Sequence, residues 1–198
     1  GLTRNYHRAL QQIMHVLKPA EDHHAFGLSL VMSRGQTLFV ADTAVHEVLS
    51  AEQIADISEQ TAKVARSLGH EPRVALISYS NFGHPELPRA QVVRDAIELL
   101  DERNVSFEYE GEMTVEIALN PEVMKNYPFC RLKGPANVLI MPSLHTSQVS
   151  TQLLRELGGG TVLGPVLMGL SKPAQIVPMG TTVSDMVNMV ALAAQGAD

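Results

Sequence analysis

Arg73-Val-Ala-Leu-Ile-Ser78 is the stretch that decides how this chain folds, because its aliphatic and β-branched residues follow one another without polar interruption. A half-exposed strand would alternate apolar with polar. An unbroken run belongs to a strand covered on both faces, as in a parallel sheet between helices. On its amino-terminal side, Ser50 followed by Gln53 forms a capping-box signature, and Ile54, Ile57, Thr61, Val64 and Leu68 share one helical face that Gly69 closes. On its carboxyl side, Val92, Val93, Ala96, Ile97 and Leu100 give a second amphipathic helix. Further out, Ala9, Leu10, Ile13, Met14 and Leu17 predict a helix from Tyr6 to Leu17 that Pro19 stops. Ala25 to Met32 and Thr37 to Ala41 read as a strand pair turning at Ser33-Arg34-Gly35-Gln36. Val138 to Met141 predict a strand, Gln148 to Leu157 a helix ended by three glycines, and Thr161 to Met168 a strand-like run interrupted by Pro165. Val183, Met186, Val187, Val190, Ala191 and Ala194 form a last apolar helical stripe. This alternation predicts an α/β sandwich with a mainly parallel sheet and helices on both faces.

Composition narrows the function classes. With 198 residues, 45% of them apolar, the chain has the size and substance of one large domain with a packed core. Fifteen basic against twenty-one acidic side chains give a net charge of −6, and the basic residues are scattered rather than clustered. Nucleic acid and anionic membrane surfaces are therefore poor partners, whereas a small anionic ligand is not excluded. The single cysteine, Cys130, excludes an internal disulfide and fits a reducing compartment, so the cytoplasm is expected. No window is long and apolar enough to span a membrane, and the opening GLTRNYHRAL lacks a signal peptide's apolar stretch. A helical pattern that begins almost at Gly1 suggests a piece of a longer chain.

Ligands of open α/β sheets gather beyond the carboxyl ends of the strands. Ser78-Tyr-Ser-Asn-Phe-Gly-His84 follows the most apolar strand, carries two hydroxyls and an amide, and leads toward a helix. It reads either as an anion-binding loop or as a polar turn that satisfies its own backbone. A second candidate is Gln175 to Asp185, where Asp185 falls in the first turn of the last helix with Asn188 three residues on. A carboxylate there is a general base or simply an acid favoured at a helix start. His84 and His145 each follow a strand. His23 and His24 are adjacent, which in a strand would point them to opposite faces, and no metal-binding His or Cys spacing occurs. Gly-x-Ser-x-Gly, phosphate-loop and dinucleotide fingerprints are all missing, and the nine methionines read as core filler.

Four ordered blocks resemble the phosphate acetyltransferase family: Glu71-Pro-Arg-Val-Ala-Leu-Ile-Ser-Tyr-Ser-Asn-Phe-Gly83, Asn137-Val-Leu-Ile-Met-Pro142, Gly164-Pro-Val-Leu-Met-Gly-Leu170 with Lys172-Pro173, and Asp185-Met-Val-Asn188. Within that family, Ser78 to Gly83 and Lys133 to Leu139 look most like the terminal domains of bacterial NADP-dependent malic enzymes. The resemblance spans essentially the whole chain but begins partway through the family's usual length. It departs where active members carry Ser-Arg-Gly before the last helix, since this chain has Pro178-Met179-Gly180. It departs again where Ser143-Leu144-His145 replaces the family's Asp-Leu-Asn.

The resemblance implies a two-domain, three-layer α/β sandwich of the isocitrate/isopropylmalate dehydrogenase-like kind. Residues 1–168 would be the second domain and residues 169–198 a return segment completing a first domain that is otherwise missing. It implies a cleft holding Ser78, Ser80, Asn81 and Asp185 as candidate acetyl-CoA contacts. The degenerate site at Pro178, Met179 and Asp185 is expected to carry no catalysis. No cofactor is expected in the fragment itself; NADP and a divalent metal would belong to an N-terminal malic enzyme module of the same parent chain. A homodimer or higher homo-oligomer is the expected assembly, and a working phosphate acetyltransferase is the alternative.

Overall fold

The computed structural model describes residues 5–86 and 88–195. The elements run α1 (Tyr6–Val16), β1 (Phe26–Ser33), β2 (Gln36–Ala41), α2 (Ala51–Ser67), β3 (Arg73–Ile77) and α3 (Pro88–Glu102). They continue with β4 (Glu108–Met113), α4 (Val115–Leu119), α5 (Pro121–Met124), β5 (Val138–Ile140), α6 (Leu144–Leu157), β6 (Thr161–Met168) and α7 (Val183–Gln195). Residues 1–4 and 196–198, at the two ends of the expected domain ranges, lie outside the described residues.

The six strands form one sheet in the order β4-β3-β5-β2-β1-β6. β4, β3, β5 and β2 are mutually parallel, whereas β1 pairs antiparallel with both β2 and β6. The sheet is therefore mixed, with β1 alone reversed and the other five strands running in one direction. The physical reason is local: Arg34 and Gly35 hold φ of 52° and 75°, and this two-residue turn closes β1 directly onto β2. So short a connection permits only an antiparallel pair.

β3 carries the apolar run and is covered on both faces. Val74 and Leu76 join Ile54, Ile57, Ala96 and Leu100 of α2 and α3 in one core cluster. Ala75 and Ile77 join Ile117, Ala118 and Met124 of α4 and α5 in the other. Neighbouring β5 divides in the same way, Val138 and Ile140 to the first cluster and Leu139 to the second. Helices thus lie on both sides of the sheet, as the alternation predicts. The α2 capping box is present, with Ser50 accepting from the Gln53 amide and the Gln53 side chain accepting from the Ser50 amide.

Besides the short helices α4 and α5, which the sequence reading does not contain, three elements differ from it. β4 is an edge strand of sequence Glu-Tyr-Glu-Gly-Glu-Met that apolar periodicity misses. Its acids pair with basic neighbours, Glu110 with Arg131 at 3.2 Å and Glu112 with Arg94 at 2.9 Å. α6 starts four residues before the predicted Gln148, because Ser143 caps it by accepting from the Thr146 amide. In α7 the buried side chains are Met189 and Ala193, while the predicted stripe of Val183, Met186, Val187 and Val190 faces outward.

Candidate functional site

The chain leaves the ends of β3 and β5 in opposite directions. β3 leads through α3 to β4 at one edge of the sheet, and β5 leads through α6 to β6 at the other. Such a switch point opens a crevice that the flanking helices do not fill. Here it is a cavity of about 300 Å³ in which Ile77, Ser78 and Tyr79 from one strand end meet Met141, Pro142 and Ser143 from the other. Leu49, Ile54, Val92 and Val93 supply aliphatic walls, and Arg89, Thr146 and Ser150 supply polar groups.

The loop that follows β3 is held from behind by a buried carboxylate. Glu112 is fully buried; its Oε1 accepts from Ser80 Oγ at 2.7 Å and from the Gly83 amide at 3.0 Å. Arg94 Nη1 donates to both Glu112 oxygens at 2.9 Å, which supplies the countercharge. Gly83 at φ 93° turns its amide inward, a conformation that a side chain would strain. Asn81 Oδ1 accepts from the Thr114 amide at 2.8 Å, and the Asn81 and His84 backbones bond each other. Of the three loop residues singled out in the sequence, Ser78 alone lines the cavity. Ser80 is wholly buried, and the Asn81 carbonyl is used to hold the loop. His84 and His145 are exposed.

Asp185 lies elsewhere. Its carboxylate accepts from Thr182 Oγ1 at 2.7 Å, and the same hydroxyl accepts from the Asp185 amide at 3.1 Å, a closed arrangement at the start of α7. Pro178 and Met179 line a separate groove of about 970 Å³ against Ala9, Ile13 and Val16 of α1. The groove and the cavity at Ser78 share no lining residue, so the structure does not bring Ser78 together with Pro178 or Met179.

Two acidic clusters escaped the sequence reading. His23 and His24 lie in the connection ahead of β1, not in a strand, and both turn to Asp56 on α2 with Nδ1 contacts of 3.0 and 2.9 Å. Burial alone would raise the Asp56 carboxyl, but hydrogen bonds from His23 and from the amide and ring of His24 hold it below the ordinary carboxylate range. Asp42, buried at the end of β2, accepts from the amides of Gly27, Ala44, Val45 and His46 and from the His46 ring. Asp-Thr-Ala-Val after a strand is a weak signal for such a hub, and the partners come from separated segments. At the β4 edge, burial and the adjoining Asp101 carboxylate push the Tyr109 phenol up to about 12, with the Arg131 guanidinium 4.6 Å from its ring. Among the described residues no cluster of His, Cys, Asp and Glu fits a metal ion, and no helix is long and apolar enough to cross a membrane.

A mixed α/β sheet with a crevice at its switch point is the frame of a ligand-binding α/β domain, and residues 1–194 match the phosphate acetyl/butaryl transferase family. The chain belongs to that family. An NADP-dependent malic enzyme of Rhizobium meliloti is 51% identical over 197 residues, covering all of this chain and 26% of that protein. One from Escherichia coli is 38% identical over 198 residues, covering 98% of this chain and again 26% of the relative. The chain thus spans about a quarter of the length of these curated relatives and is most like their C-terminal phosphotransacetylase-like domain. A phosphotransacetylase from Streptococcus pyogenes superposes with a TM-score of 0.89 at 25% identity, over 99% of this chain and 61% of that one.

Proposed function

We propose that this chain serves in a regulatory and oligomerisation domain of an NADP-dependent malic enzyme, which converts malate to pyruvate and CO2 in the cytoplasm. In this reading the domain senses acetyl-CoA and transfers no acyl group. The carrying consideration is chemical: by its resemblance to active members of the family, the chain has Pro178 and Met179 where they carry serine and arginine, and Met179 is 81% exposed. Neither side chain can hydrogen-bond or place positive charge on a phosphoryl group, which acyl-phosphate chemistry needs. Asp185, the remaining acid, is engaged by Thr182.

The groove between α1 and Pro178-Met179, with the outward Val183, Val187 and Val190, supports the division into a second domain (1–168) and a return segment (169–198). That apolar face is then covered by the family's preceding domain, in an isocitrate dehydrogenase-like arrangement. The exposed Val149, Leu153 and Leu157 of α6 serve the contact with a second copy. NADP and a divalent metal belong to the malic enzyme module of the parent chain.

Calorimetric titration of the full-length protein with acetyl-CoA, alongside malate turnover, tests the reading. Binding with inhibition of turnover is expected, and no acetyl-CoA should form from acetyl phosphate and CoA. An effector without binding or kinetic effect removes the regulatory role; acetyl-CoA formation installs the phosphate acetyltransferase alternative.

A further inference from the structure

We infer that the depression between the second half of α2 and the connection from α3 to β4 binds a phosphoryl group, with Lys63, Arg66 and Arg103 as its cations and the Ser106 hydroxyl as a donor. This site stands apart from the crevice at Ser78, because the two lie at opposite ends of α2 and α3. Ile54 and Val92, early in those helices, line the crevice, whereas Lys63 and Arg66 late in α2 and Arg103 just past α3 line the depression.

Charge singles the depression out. The chain carries a net charge of −6, yet the lining brings three cations together against the one carboxylate of Glu59. The groove at Pro178 and Met179 is lined by no charged residue, and the crevice by Arg89 alone. Basic side chains are favoured at helix carboxyl ends, which explains Arg66 in the last turn of α2. It does not explain Lys63, which lies one turn earlier, is exposed, and forms no ion pair or side-chain hydrogen bond among the described residues.

The two guanidinium groups are oriented but not used up. Arg66 Nη2 donates to Glu71 at 2.9 Å and to the Ser106 carbonyl at 3.2 Å, and Nη1 reaches Ser106 Oγ at 3.5 Å. The Arg103 side chain uses Nη1 alone, on Glu59 at 2.6 Å. A guanidinium has five N–H donors in a planar fork, so donors remain on both for the oxygens of a phosphoryl group. Glu59 and Glu71 are 38% and 67% exposed, and surface pairs of this kind are weak enough for a doubly charged ligand to displace. Ser106 accepts from Arg66 while its own hydroxyl proton has no acceptor among the described residues, which suits a phosphoryl oxygen. A volume of about 400 Å³ exceeds what the bare ion fills and leaves space beside Val105 and Phe107 for a small organic body. The chemistry recognised is a phosphoryl dianion, whether free phosphate or a phosphate monoester.

The test titrates full-length protein with inorganic phosphate and with glycerol phosphate, NADP being held in excess so that the dinucleotide site of the parent chain is filled. Wild type is compared with Lys63→Gln, Arg103→Gln and Arg89→Gln. Lys63 has no ion pair to lose and Arg103 loses one exposed pair, so both variants should melt with the wild type. The expected result is that the tighter of the two probes binds about fivefold or more weakly in Lys63→Gln and in Arg103→Gln, and within about twofold of wild type in Arg89→Gln. Tighter binding of glycerol phosphate assigns the site to a phosphate monoester, and tighter binding of inorganic phosphate assigns it to the free ion. Binding that stays within about twofold in Lys63→Gln or Arg103→Gln, that weakens only in Arg89→Gln, or that is missing for both probes in the wild type overturns the site.

Discussion

The loop at Ser78–Gly83 and the segment leading into α7 satisfy their polar groups in opposite ways. The loop is tied into the protein through Glu112, Arg94 and Thr114, so its shape is set inside the chain. The segment at Pro178–Asp185 closes on itself through Thr182 and leaves Met179, Val183 and Val187 in the open. The loop therefore keeps its shape through contacts made elsewhere in the fold. The other segment holds only its own polar groups and keeps apolar side chains exposed.

The largest expected effect breaks the anchored side. Glu112→Ala strands the Arg94 guanidinium and leaves Ser80 and Gly83 unpaired, and should cost about 3 kcal/mol in urea unfolding. A loss under about 1 kcal/mol would mean that the loop does not depend on this carboxylate. Next, Asp56→Ala removes the group that binds His23, His24 and Gln60, with an expected cost of about 2 kcal/mol at neutral pH. Asp56 has a lowered pKa in the folded state, so its stabilisation is full above the unfolded carboxylate value near 4 and is lost as pH falls toward the folded value. The gap between wild type and Asp56→Ala should therefore narrow below about pH 4 in acid unfolding. A gap that widens there would reverse the assignment.

A smaller effect calibrates the helix that carries Asp56. Ser50→Ala removes the α2 cap and should cost about 1 kcal/mol, read as a shift of the urea midpoint without a change in slope. The smallest effect sharpens the unanchored side. Val187→Ser and Val190→Ser, each 62% exposed, should change the stability of this chain by less than about 0.5 kcal/mol. The same changes should destabilise the full-length protein, where the preceding domain covers that face, visible as a lowered thermal midpoint. A large loss in the isolated chain would place that face inside its own core.

Legibility followed whether a signal was local. The capping box at Ser50 and the hairpin turn at Arg34-Gly35 depend on residues within a few positions, and both are present. Ser78 was found because it ends the most apolar strand, where any open sheet leaves room. Arg89 was not singled out, since a charged residue early in a helix looks like ordinary surface until the cavity is seen beside it. β4 was missed because three glutamates hide an edge strand from any search for apolar periodicity. The acidic hubs at Asp42 and Asp56 were illegible for a different reason: each gathers donors from segments far apart in the chain.

By itself the amino-acid order determined the family, the alternation of helices with buried strands, and the absence of serine and arginine at 178 and 179. These are properties of neighbouring residues, and the hydrophobic effect reads them without knowing the partner. Only the tertiary structure decided that β1 alone runs against the other strands, that Ser80 serves Glu112, and that the apolar stripe of α7 faces outward. Each of those depends on which distant segment arrives to share a hydrogen bond or cover a face, and spacing along the chain does not encode that.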